Sequence, residues 1–275
     1  MANMRILYDN AADRAIVSAS SSAGNLLPAN LQTDRKGEFH RSVGPVVTYS
    51  LWWGNGEGIS VVALPACNLT ATSTIRVRMY ADLARAELLA DSGTVYACPG
   101  LDLGEWEWSA PINANAFIYG GYSKTAIWFN DIHFARICDI DINDTDNAAG
   151  FVDMARIVAG VWWSPEVGAG MGAEAEVVDM SVQFRNDAGD LLADRGSQHE
   201  TIDVPLPLMN EKDRARFAQI VRFVGTSVSF LVSLYPAQGM SLKEQDHMIF
   251  GKRSNSAVTT NFYDGNSSKL HMEGW

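Results

Sequence analysis

The chain has 275 residues, of which 47% are hydrophobic and 19% charged, with 32 aspartates and glutamates against 21 lysines and arginines. This composition excludes a disordered chain and leaves room for one large or two ordinary domains, each with its own core. A net charge of −11, with acids in excess in both halves, excludes the basic patch that nucleic-acid binding requires.

The opening MANMRILYDN lacks the apolar core of a signal peptide. The longest apolar tract, FVGTSVSFLVSLYP, is too short and too rich in serine and threonine to span a bilayer. The expectation is a soluble protein folded in a cytoplasm, without membrane insertion. From residue 46 onward, short runs of period-two alternation dominate. VVTYSLWW (46–53), ISVVALP (59–65), TIRVRMY (74–80), EWEWS (105–109), TAIWF (125–129) and ARICDIDI (135–142) all read as strands. The clusters GNGEG, CNLTATS, CPGLDLG and YGGYSK separate them as turns. Residues 81–93 read as a long loop over the sheet edge. Many short strands without helices between them predict an antiparallel jelly-roll β-sandwich over residues 1–165.

In CDIDINDTDNAAG, Cys138, Ile140 and Ile142 fall on one face of a strand and Asp139 and Asp141 on the other. Alternation sends the apolar set inward and both carboxylates into solvent. The run fails the helix-loop-helix calcium pattern twice, because Asp144 stands where glycine is needed and Gly150 where a bidentate glutamate is needed. It reads as a solvated turn, followed by a second strand in FVDMARIVAGVWW.

The pattern changes after WWSPEVGAGMG, which places a smaller α+β domain over residues 166–275. AEAEVVDMSVQF and ETIDVPL read as strands on either side of the turn NDAGD. The clearest helix follows, with Asn210 as N-cap, Glu211 and Asp213 in the first turn, and Gly225 at its end. Phe217, Ile220, Val221 and Val224 form its apolar stripe. SVSFLVSLYP, HMIFGK, AVTTNFY and KLHMEGW supply further strands.

No catalytic or metal set emerges. The five histidines form no HExxH pair, no CxxC occurs, and three cysteines in apolar surroundings read as buried free thiols. GAGMGA fits the dinucleotide fingerprint in letters only, since no βαβ unit surrounds it. Glu105 and Glu107 share one face of a strand rather than facing each other across a sugar. The expectation is a protein that is not an enzyme and needs no cofactor. Tryptophan is usually well buried, which assigns Trp106, Trp108 and Trp128 to the sandwich core. Exposed instead, Trp106 and Trp108 would join Tyr119 and Tyr122 as a carbohydrate-binding set.

Two segments carry a family resemblance. SASSSAGNLLPANLQTDRKGEFHRS (18–42), with Asn30, Leu31 and Asp34, resembles the opening of discoidin-like, galactose-binding-type jelly rolls; Phe39 or His40 stands where such domains have tryptophan. DIDINDTDNAAGFVDMARIVAGVWWSP resembles the close of this jelly roll in tail proteins of tailed bacteriophages, through Asp144 or Asp146, Asn147, Gly150, Phe151, Asp153, Arg156 and Gly160. The second domain is similar to the part that follows there. The resemblance implies a minor tail protein of the tail tip or baseplate, present in several copies in the virion and assembled with other tail proteins in the host cytoplasm. The alternative it leaves is a carbohydrate-binding module for host surface glycans.

Overall fold

A computed structural model describes residues 3–98, 122–237, 241–255, 258–261 and 265–275. The protein is mainly β, an antiparallel jelly-roll sandwich followed by a smaller α+β part with one main helix. It divides into two compact units, one of Met1–Ser164 with Leu231–Met248, the other of Pro165–Phe230 with Ile249–Trp275. The chain therefore returns to the first unit after the main helix, at the strand Phe230–Ser233, in a run that the sequence reading places in the second domain.

The first unit is organised by two long antiparallel strands, Val46–Cys67 and Ser123–Asn143, paired from Val46↔Asn143 to Cys67↔Ser123. Each joins two of the runs expected as separate strands. A straight strand of 22 residues would reach about 70 Å, yet both its ends line one core cluster. The ribbon therefore bends, and its register shifts between Trp52 and Glu57 and again between Ile59 and Val61. Bulges of this kind change which parity faces inward. Before them Val47, Tyr49, Leu51 and Trp53 enter the core; after them Val62 and Leu64 do. Thr74–Tyr80 pairs beside the ribbon and contributes Ile75, Val77 and Met79. Residues 105–109 lie outside the described residues.

On the far side of the bend the ribbon is buried on both faces. Trp128 is 5% exposed but stands opposite Val61, on the face away from the sandwich core. Its indole Nε1 donates to Glu244 Oε1 at 2.8 Å, and Ser233 Oγ and the Ala237 amide donate to the same carboxylate. Lys124 Nζ donates to the Met248 carbonyl at 2.8 Å. These bonds fasten Leu231–Met248 to the ribbon, and burial pushes the Glu244 carboxyl above its ordinary range.

Four further expectations are corrected. Cys138, Ile140 and Ile142 do enter the core, but Asp139 does not face solvent, being 4% exposed. The 81–93 segment forms the strand Leu88–Asp91 after a turn whose amides converge on Asp82. From that turn Arg85, held at φ 58°, lays its guanidinium on Asp139 at 2.7 Å. Asp144 is likewise no solvated turn residue: it is 1% exposed and accepts from the Thr70 amide, the Thr70 hydroxyl and Asn147 Nδ2. The run expected as one strand after it holds two short ones, Asp153–Met154 and Val158–Gly160. Between them Arg156, 3% exposed, reaches Asp13 at 2.8 Å and Asp34 at 3.2 Å.

The second unit carries the expected helix, Glu211–Val224, with Asn210 Oδ1 accepting from the Asp213 amide at 2.8 Å and Gly225 closing it at φ 54°. Phe217, Ile220 and Val224 are buried and the helix packs on the strands Gln198–Met209 and Gly265–Gly274, whose Ile202, Val204, Leu206, Leu270 and Met272 are buried too. Gln198–Met209 also pairs with Glu174–Asp179. Beyond that pairing the chain continues as a two-stranded arm, Val182–Arg185 with Leu191–Asp194, closed by a turn at Asn186–Asp190.

Two expected outcomes follow. A Cβ on Gly160 would lie 2.6 Å from the Asp9 carbonyl oxygen, so Gly160→Ala should cost about 1–3 kcal/mol in urea unfolding. His40 is fully buried, with Nε2 donating to the Ser21 carbonyl and Nδ1 accepting from Tyr49. Burial lowers its pKa from 6.5, so the unfolded chain takes up a proton first as pH falls, and stability is lost below pH 6.5. In a series of urea unfolding curves, His40→Gln should remove that loss.

Candidate functional site

The register of the first unit's short strands places one row of side chains inward and the next outward. Ser123 pairs with Cys67, Cys67 with Met154, and Met154 with His40. All four are buried. One residue along each strand, alternation turns Tyr122, Asn68, Asp153 and Arg41 to the outer surface. Four neighbouring chains at about 4.8 Å spacing make this row about 14 Å wide.

Each member is held by a named contact. Arg41 donates from Nε and Nη2 to the two oxygens of Asp153 at 2.7 and 2.8 Å, and that pairing raises its pKa. Its guanidinium lies 3.9 Å from the Phe151 ring centre and 5.4 Å from that of Phe39. Asn68 Nδ2 donates to the Phe151 carbonyl and Asn68 Oδ1 accepts from the Asp153 amide. Asn30 Nδ2 donates to the Phe39 carbonyl at 2.9 Å. At the other end of the row the Lys36 ammonium sits 4.7 Å from the ring centre of Tyr122, which is 41% exposed. The buried Asp144 supports this surface from behind: it receives Asn147, which also donates to the Asn68 carbonyl.

The platform thus offers partly exposed rings, one guanidinium, one ammonium, a carboxylate and an amide on a rigid sheet edge. Rings pack against the C–H faces of a sugar, and fork-shaped donors with carboxylate acceptors fit pairs of hydroxyls. Asp153 commits both oxygens to Arg41, an arrangement suited to binding rather than to proton transfer. Among the described residues no group of three or more His, Cys, Asp or Glu is placed to hold a metal ion, and no helix is long and apolar enough to cross a membrane. Cys67, Cys98 and Cys138 are buried thiols, with burial pushing Cys67 up to about 11.

Of the four residues expected from the sequence to bind carbohydrate, Tyr122 lies on this surface, while Trp106, Trp108 and Tyr119 fall outside the described residues. Phe39, Arg41, Phe151 and Asp153 were not assigned to a site by the pattern. All four stand inside the resembling segments, but only the pairing of residues some 110 positions apart brings them together.

No family model and no curated protein matches the chain. Among solved structures it is similar to a GH29 fucosidase of Ruminococcus gnavus in complex with fucose, at 14% identity and a TM-score of 0.40. That match covers 58% of this chain and 28% of the fucosidase, so the chain spans less than a third of that protein's length. It is also similar to chitosan-binding module 1 of a chitosanase/glucanase from Paenibacillus sp. IK-5, at 13% identity and a TM-score of 0.39, covering 56% of this chain and 99% of the module. A third similarity is to a CBM32 module from Clostridium perfringens in complex with GalNAc-β-1,3-galactose, at 10% identity and a TM-score of 0.37, covering 55% of this chain and 97% of that one.

Proposed function

We propose that the first unit recognises glycans through the platform of Tyr122, Asn68, Asp153 and Arg41 with Phe39, Phe151 and Lys36. The observation that carries this reading is the outward row itself: aromatic rings at both ends, with a carboxylate-locked guanidinium and an amide between them. Such a surface takes a pyranose ring lying flat on an aromatic face while its hydroxyls reach Arg41, Asp153 and Asn68. The reaction class is binding without turnover. Trp106, Trp108 and Tyr119 remain proposed members of the same site.

The test is a glycan array followed by calorimetry on the glycans retained. Tyr122→Ala, at an exposed position, should bind roughly tenfold more weakly, the loss expected for one stacked ring. Silence across the array, or a folded Tyr122→Ala/Phe151→Ala variant that binds like the parent, would sink the reading.

A second reading, a structural component of a bacteriophage tail, is favoured by the resemblance of residues 139–165 and by one observation in the second unit. The arm of Val182–Arg185 and Leu191–Asp194 is exposed along its whole length, as suits a subunit with neighbours. The two readings are compatible. Mass spectrometry of purified virions should then find this chain at a fixed ratio to other tail proteins; its absence from intact particles would overturn the assembly reading alone.

A further inference from the structure

The second unit exposes two surfaces that complement each other in charge and length. The first is the arm. Every residue of Val182–Arg185 and of Leu191–Asp194 is exposed, and the two strands pair with each other only, among the described residues. Val182, Phe184 and Leu192 lie on one face of this ribbon at 62%, 45% and 43% exposure, because Val182 pairs with Asp194 and Phe184 with Leu192. Met180, just before it, is 58% exposed. A lone two-stranded ribbon is marginal in water, and this one has no core of its own. Its surroundings are acidic: residues 174–200 hold seven carboxylates (Glu174, Glu176, Asp179, Asp187, Asp190, Asp194 and Glu200) against Arg185 and Arg195.

The second surface is the outer side of the helix Glu211–Val224. Lys212, Ala215, Arg216, Gln219, Arg222 and Phe223 recur there at helical spacing, and all six are exposed. The stripe carries three cations and no carboxylate in a chain of net charge −11, and Phe223 adds a ring that is 57% exposed. Among the described residues Lys212 and Arg222 form no ion pair. The helix, at 14 residues, is about 21 Å long; Met180–Arg185, extended, is about 20 Å.

We propose that the arm of one copy docks on the helix of a second copy, with Phe184, Val182 and Leu192 covering Phe223 and the arm's carboxylates meeting Lys212, Arg216 and Arg222. Two arms do not pair face to face, because that would bring the acidic segments together at a cost that like charges impose. Arm on helix is a heterologous contact, which builds a ring if the rotation closes and a filament if it does not. The inference deepens the assembly reading and rests on it for its setting.

Analytical ultracentrifugation over a concentration series tests it on the full chain. The parent protein should form oligomers that dissociate with added salt. Phe184→Ser/Leu192→Ser in the arm and Arg216→Glu/Arg222→Glu in the helix should each give monomers, with circular dichroism and thermal unfolding close to the parent because all four positions are exposed. Mixing the two variants should then yield a heterodimer that grows no further, since one copy keeps its helix and the other its arm. A parent that stays monomeric at every concentration, variants that associate like the parent, or a mixture that stays monomeric would overturn the inference. Presence in the virion would still decide the assembly reading separately.

Discussion

The architecture of the first unit depends on one constraint: a two-stranded ribbon too long to stay straight must keep its apolar face inward on both sides of a bend. Unbroken alternation cannot do this here, because the apolar residues are odd-numbered before the bend and even-numbered at Val62 and Leu64 after it. The register shifts after Trp52 and after Ile59 solve the problem by inserting unmatched residues, so that Tyr49 and Leu51 before the bend and Val62 and Leu64 after it reach one core. Gly54, Gly56 and Gly58 cluster at the corner, and a Cβ on Gly58 would press on Val161 and Ile132 at 3.2 and 3.3 Å. The bend thus needs the extra residues, and at Gly58 it leaves little room for a side chain.

Once the ribbon is bent, its outer face has to be finished with polar groups, and arginines do most of this. Asp139 receives Arg85 and Ser50, Asp141 receives Arg78 and Thr48, and Asp91 receives Arg76. Asp139 is buried while Arg85 is 45% exposed, so removing Arg85 should cost more than the roughly 1 kcal/mol of a surface pair and less than the roughly 3–5 kcal/mol of a fully buried one. The same logic fixes the closing segment, where Arg156 is buried between Asp13 and Asp34. Charges that look like solvated decoration in the sequence therefore act as the fasteners of loops.

Much of this was legible, and the part that was not has a common cause. The helix from Glu211 to Val224 was readable to its caps, because Asn210, the apolar stripe and Gly225 act through neighbours within a few residues. Thr74–Tyr80 was readable for the same reason, with period-two alternation intact. The strands Ile16–Ala19 and Leu88–Asp91 carried no such signal; they are edge pieces whose side chains are largely uncovered. The fates of Asp139 and Asp144 were hidden because Arg85 and Thr70 lie 54 and 74 residues away. At the platform, Tyr122 could be singled out as an aromatic in a turn, whereas Arg41 and Asp153 became a pair only through a two-residue ladder.

The distribution of cations argues for different roles in the two units. In the first, Arg14, Arg41, Arg76, Arg78, Arg85 and Arg156 all bind carboxylates of the same unit. Each is thereby committed to the fold, and Arg41 does so against the rings of Phe151 and Phe39. In the second unit the helix breaks that habit: Arg214 pairs with Glu211 near the start, but the outer stripe from Lys212 to Phe223 offers charge and an aromatic ring outward. Side chains this exposed contribute little to folding. Where such a stripe is single-signed in an acidic chain, and an acidic, apolar ribbon of matching length stands uncovered beside the same sheet, association is the use that accounts for both.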